Sequence, residues 1–227
     1  MKVFRSFRDI FRKDNWSSAT SARVGEMLDI CVSMNKFVHG VLIEGLSDAE
    51  AQAKLFDRDQ RINVLEREVR RSVVTHLALE RRAEDIPSGL VFMNVVKDAE
   101  RIGDYLKNIF DVAHELMPET ADRNLYREKL QGFADAMRDA MIDTAEAFGE
   151  SDEVRCKVII ASSRDRGHEL EAAIAEITRS DLKTSDAVCL VLVMRFYKRI
   201  FMHLVNIATT VVMPVDKMDF FDEKNGA

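Results

Sequence analysis

Apolar residues recur at helical spacing along nearly the whole chain. Leu28, Cys31, Asn35, Val38 and Leu42 fall three or four residues apart on one stripe of a segment that Ser17 or Ser18 caps and that runs to about Gly45. Ser47-Asp48-Ala49-Glu50 reads as a capping box, in which Ser47 and Glu50 satisfy otherwise unpaired amides. The helix it opens meets no Gly or Pro before Pro87, so the pattern predicts more than thirty residues, a length typical of bundle elements. Pro87-Ser88-Gly89 breaks the pattern, and a third helix is expected over about 90–117, before Pro118. A fourth follows over about 121–148, with Leu130, Phe133, Met137, Met141 and Phe148 inward, and stops at Gly149. A fifth is expected from Ser151-Asp152-Glu153 to about Thr178. Thr184-Ser185-Asp186 opens a sixth, strongly apolar helix that ends near Met213-Pro214.

The third and sixth segments repeat one another. A shift of 98 sets Arg101-Ile102 on Arg199-Ile200, Leu106 on Leu204, Asn108 on Asn206 and Ile109 on Ile207. The shared pattern RI-xxx-L-x-NI runs on to Met-Pro in both copies. The predicted fold is therefore all-α, two tandem three-helix bundles over 17–118 and 119–214. Residues 1–16 form a separate basic amphipathic segment, and the tail 215–227 reads as irregular.

Composition narrows the function classes. Nine Gly and three Pro in 227 residues leave too little punctuation for a turn-rich β fold. A net charge of -6 argues against general nucleic-acid binding, which needs a basic face. No run of about 18 uncharged apolar residues marks a membrane span. Cys31, Cys156 and Cys189 are odd in number and widely spaced, so they read as buried reduced thiols in a cytosolic protein. Charges interrupt every apolar core of the N-terminus, which excludes a signal peptide. Lys2, Arg5, Arg8, Arg12 and Lys13 surround Phe4, Phe7, Ile10 and Phe11, so residues 1–13 suit peripheral contact with an anionic membrane or packing on the bundle itself.

One polar stripe is unexplained by a core. On the second helix Leu55, Ile62, Val69 and Val73 form the apolar face, yet Asp59 and Glu66 share it, with Asn63 one turn after Asp59. On the third, Glu100 and Asp104 are four apart, so their carboxylates stand one above the other, and Asn108 and Asp111 extend the line. Like charges at that spacing repel, and a multivalent cation would relieve them. Neutralisation by Lys97, Arg101, Lys107 or Arg67 would do the same. A di-iron oxidase needs Glu-x-x-His pairs, and none occurs. GxSxG, HExxH and Walker-type motifs are likewise missing, and His39, His76, His114, His168 and His203 are scattered singly. A non-enzymatic role follows. Spacing alone assembles no basic pocket for phosphate.

Glu100-Arg101-Ile102-Gly103-Asp104, followed by Asn108-Ile109, resembles the signature of the PhoU family, and Asp59, Asn63 and Glu66 resemble the companion motif on its preceding long helix. The resemblance spans about 27–214. It implies paired three-helix bundles whose acidic motifs hold a divalent or trivalent metal, iron or zinc first, here through Asp59, Asn63, Glu66, Glu100 and Asp104. It also implies a cytoplasmic, homodimeric regulator of phosphate uptake and phosphate-starvation signalling, with a phosphate transporter and a membrane sensor kinase as partners. A partner of a sodium-phosphate cotransporter and a metal-free helical scaffold are the alternatives. In the second half Lys198 stands where the motif has Glu and Met202 where it has Asp. Asp165 and Glu169 are a possible remnant, so one competent metal site, in the first bundle, is expected.

Overall fold

Helical periodicity turns directly into helices. The structure, a computed structural model, describes residues 15–46 and 49–218, and the side chains of 16–46 and 52–218. The basic stretch 1–13, the Ser47 and Glu50 side chains of the capping box and the end of the tail lie outside the described residues. Six long helices follow in order: α1 Asn15–His39, α2 Ala49–Glu80, α3 Ile86–Asp111, α4 Arg123–Glu150, α5 Glu153–Ile177 and α6 Thr184–Val212. The described residues contain no strand, so the protein is all-α. Both α1 and α3 widen into a π turn at their C-terminal ends, Gly40–Glu44 and Val112–Leu116. Part of the tail is ordered, as a short 3₁₀ turn at Val215–Lys217.

Burial explains why these stripes fold together. Leu28, Cys31, Val38 and Leu42 are fully buried, as are Leu55, Leu65 and Val69 on α2. Ile102, Leu106 and Ile109 are buried on α3, and so are their counterparts Ile200, Leu204 and Ile207 on α6. The sequence repeat is thus a repeat of core positions. Phe133 is only partly buried, packed against the edge of the core. Helices α1, α2 and α3 pack on one another, as do α4, α5 and α6. The triplets meet through α3 against α6 and α1 against α4, so one apolar cluster runs through both. Four helices build this shared centre, and α2 and α5 flank it.

Several boundaries differ from the sequence expectation, each for a local reason. Helix α3 starts at Ile86, because Pro87 occupies its first turn, where the missing N–H costs no hydrogen bond. Ser88 and Gly89 lie buried inside the helix. A Cβ on Gly89 would stand 2.9 Å from Leu77 Cδ1 and 3.1 Å from Val73 Cγ1, so glycine here serves the close approach of α2 and α3. Helix α4 runs through Gly149 to Glu150 and ends at Ser151, in the left-handed region at φ 54°. Asp122 and Asp152 cap α4 and α5, accepting from Asn124 N at 2.9 Å and from Val154 N and Arg155 N at 2.9 and 3.0 Å. Cys31, Cys156 and Cys189 are buried free thiols. Burial pushes the Cys156 thiol up to about 12. No helix among the described residues is long and apolar enough to cross a membrane.

Candidate functional site

Helices α2 and α3 run antiparallel, which sets the acidic stripe in register. Asp59 meets Lys107 and Gly89 meets Leu77 and Val73 at the two ends of the pair. Between them a Cβ on Gly103 would stand 3.0 Å from Ile62 Cδ1. The small residue lets the backbones close here, and Glu66 comes within electrostatic reach of Glu100.

The carboxylates do not share one environment. Asp59 is nearly buried and accepts from Lys107 Nζ at 3.0 Å. Its charge acts on Cys31, whose thiol is raised first by burial and then by Asp59. Glu66 pairs with Arg70 at 2.6 Å, along its own helix. Arg101 bridges the other two, lying 3.6 Å from Glu100 Oε2 and 3.2 Å from Asp104 Oδ2. Burial, then the Asp104 carboxylate, pushes the Glu100 carboxyl above its usual range, with Glu66 adding and Arg101 opposing. Asp111, further along, is raised by burial and by Glu115, against Lys107.

The structure therefore brings Glu66, Glu100 and Asp104 together. Asp59 is not among the charges that shift Glu100; it belongs to Lys107. Asn63 is half-buried one turn before Glu66, and its side chain makes no hydrogen bond among the described residues. Lys107 and Arg101 were both among the cations expected to neutralise the stripe, and both do so.

The donor chemistry suits a hard or borderline cation, since it is all carboxylate oxygen. Among the described residues, however, no three His, Cys, Asp or Glu side chains stand in metal-holding positions. What intervenes is weak: the Arg70 and Arg101 side chains are 44% and 48% exposed, and pairs so solvated are worth about 0.2–1 kcal/mol.

The histidines have structural partners. Burial lowers His39 to about 4, and its ring bonds Tyr197 Oη at 2.5 Å and the Asn35 carbonyl at 2.8 Å. His76 stacks on Trp16 and bonds Asp85 at 2.8 Å. His203 bonds Asp98 at 2.7 Å across the two triplets. His114 stacks on Phe110, and His168 is exposed.

Sequence reasoning missed a second feature. On α6 the positions Arg195, Lys198, Arg199 and Met202 line a cavity of ≈320 Å³, closed on the other side by Arg164, Gly167 and His168 of α5. The signal was available in the spacing of 195, 198, 199 and 202, which lie on one helical face. Asp165 and Glu169 do not line it; both are exposed, and Glu169 pairs with Arg166 at 2.5 Å.

These observations define a class first: an all-α protein of two facing helix triplets, with a carboxylate stripe on the α2–α3 pair. Residues 24–113 match the family model described as the PhoU domain, which lies within the first helix triplet. The fold is similar to the crystal structure of PhoU from Pseudomonas aeruginosa, at TM-score 0.74 and 19% identity, over 86% of this chain and 94% of that one. It is similar also to the phosphate transport system regulatory protein PhoU from Streptococcus pneumoniae, at TM-score 0.76 and 16% identity, over 86% and 93% of the two chains. No curated protein matches the sequence.

Proposed function

We propose that this chain is a non-enzymatic adaptor that regulates phosphate uptake or phosphate-starvation signalling, with a metal ion fixing its docking surface. The regulatory reading rests on the PhoU domain over 24–113 and on the shared fold with a protein described as a phosphate transport regulator. The observation that carries the metal is Glu100, a carboxyl crowded by Asp104 and Glu66 and only partly relieved by one exposed arginine. Glu66, Glu100 and Asp104 would hold iron or zinc, with Asn63 as a neutral oxygen donor. Asp59, balanced by Lys107, stays outside the set. The ion would supply charge neutralisation and would tie α2 to α3. In this reading the protein is a cytoplasmic homodimer that meets a phosphate transporter or a membrane sensor kinase, with residues 1–13 as the membrane-facing segment.

Elemental analysis of the purified full chain tests the site. Iron or zinc should copurify, a chelator should lower Tm, and Glu100→Ala with Asp104→Ala should abolish both effects. Unchanged metal content in that double variant would remove these residues from the site. A chelator-insensitive Tm in the native chain would leave the arginine-paired, metal-free scaffold as the correct reading.

A further inference from the structure

The α5–α6 cavity stands where the repeat places the counterpart of the acidic site. The shift of 98 maps Lys97, Glu100, Arg101 and Asp104 onto Arg195, Lys198, Arg199 and Met202. Two replacements invert the face: Glu to Lys adds two positive charges and Asp to Met adds one more. On the α5 side stand Arg164 and His168. Glu171 pairs with Lys198 and lies 3.9 Å from His168 Nδ1. The Lys198 hydrogen bond and charge hold Glu171 below the usual carboxylate range, and His168 and Arg195 act in the same direction. The Arg199 side chain has no ion pair or hydrogen bond among the described residues.

Three guanidinium groups and an ammonium thus line one concavity, and no carboxylate is among its lining residues. Guanidinium forks match phosphoryl oxygens in pairs, and a concave wall lined by charges of one sign concentrates their field. The ≈320 Å³ of the concavity leaves room for more than one tetrahedral oxyanion, so linked phosphoryl groups can reach several of its cations at once. Gly167 keeps the wall open: a Cβ there would meet no atom within 4 Å, so no close neighbour requires the glycine.

We infer that this cavity binds a small anion carrying two or more linked phosphoryl groups. The binding is independent of the metal proposal, since it uses α5 and α6 and leaves Glu66, Glu100 and Asp104 untouched.

Isothermal titration of the full chain with tripolyphosphate, pyrophosphate, orthophosphate and sulfate, in chelator at low ionic strength, tests it. The linked phosphates should bind at least about tenfold more tightly than either single oxyanion. Lys198→Glu with Arg199→Glu should cost at least about tenfold, and the milder Lys198→Gln a smaller loss in the same direction. Gly167→Phe should weaken binding by filling the cavity, with no change in charge. The control is Lys97→Glu with Arg101→Glu, an equal charge change on the matching face, which should leave affinity unaltered. Equal affinity for all four anions, an equal loss in the control, or no binding at millimolar concentration would each overturn the inference. Circular dichroism melts confirm that every variant compared is folded.

Discussion

His203 on α6 donates its Nδ1 hydrogen to Asp98 Oδ1 on α3 at 2.7 Å, and Asn206 Nδ2 reaches the same oxygen at 3.2 Å. Under the shift of 98 the counterpart of Asp98 is Phe196, and that of His203 is Tyr105. These counterparts also meet, with ring centroids 5.9 Å apart, and Tyr105 stacks on His203 at 5.6 Å. One copy of the contact is polar and the other aromatic. The duplication has therefore kept the geometry between triplets while its chemistry diverged.

Asp98 is buried, so removing its carboxylate strands two donors at the junction. Asp98→Ala should cost about 1–3 kcal/mol, the penalty for leaving such groups unsatisfied. For a chain of this length that is a fall in Tm of about 3–10 °C. A double-mutant cycle with His203→Ala should show coupling of about 0.5 kcal/mol or more. Additive effects would mean that the two side chains do not interact in solution.

Glu100 carries a pH prediction whose sign is fixed by its raised pKa. Below the unfolded glutamate range both states hold the proton, and the group imposes no penalty. As pH rises through that range the unfolded chain ionises first, so stability falls until the folded carboxyl has ionised too. Glu100→Gln removes that loss. Repulsion between carboxylates four apart is about 0.2–0.5 kcal/mol, so without metal the variant should melt about 1 °C higher near neutral pH. The gain should vanish below the ordinary glutamate range, where both states hold the proton. A lower Tm at neutral pH would show that the Arg101 pair outweighs Asp104.

Much of the fold was legible because its signals are periodic. The α1 stripe through Leu28 and Leu42, the α2 stripe through Leu55 and Val69, and the apolar positions of the repeated RI-xxx-L-x-NI pattern are all core. The acidic pair Glu100–Asp104 was legible for the same reason, since a spacing of four stacks side chains on one face. The partner of each charge was not. Periodicity gives the face of a residue and not the register of the facing helix, so it could not separate Asp59, taken by Lys107, from the Glu66–Glu100–Asp104 group. Nor could it place Arg164 and His168 opposite Arg195 and Lys198, which only the α5–α6 packing does.

Glycine shows the same limit and gives a matched pair of tests. Gly89 and Gly132 both lie inside helices, and intrinsic propensity favours Ala over Gly at either by about 0.8–1 kcal/mol. Their surroundings differ. Gly132 is exposed and a Cβ there would meet nothing within 4 Å, whereas at Gly89 it would press on Leu77 and Val73. Overpacking of a buried contact costs about 1–3 kcal/mol, which exceeds the propensity gain. Gly132→Ala should therefore raise Tm by about 2–4 °C, and Gly89→Ala should lower it or leave it without gain. The comparison reads out whether α2 and α3 approach each other as closely in solution as the Leu77 and Val73 contacts require. If Gly89→Ala stabilised as much as Gly132→Ala, the two helices would have room between them, and Glu66 would no longer be held within reach of Glu100.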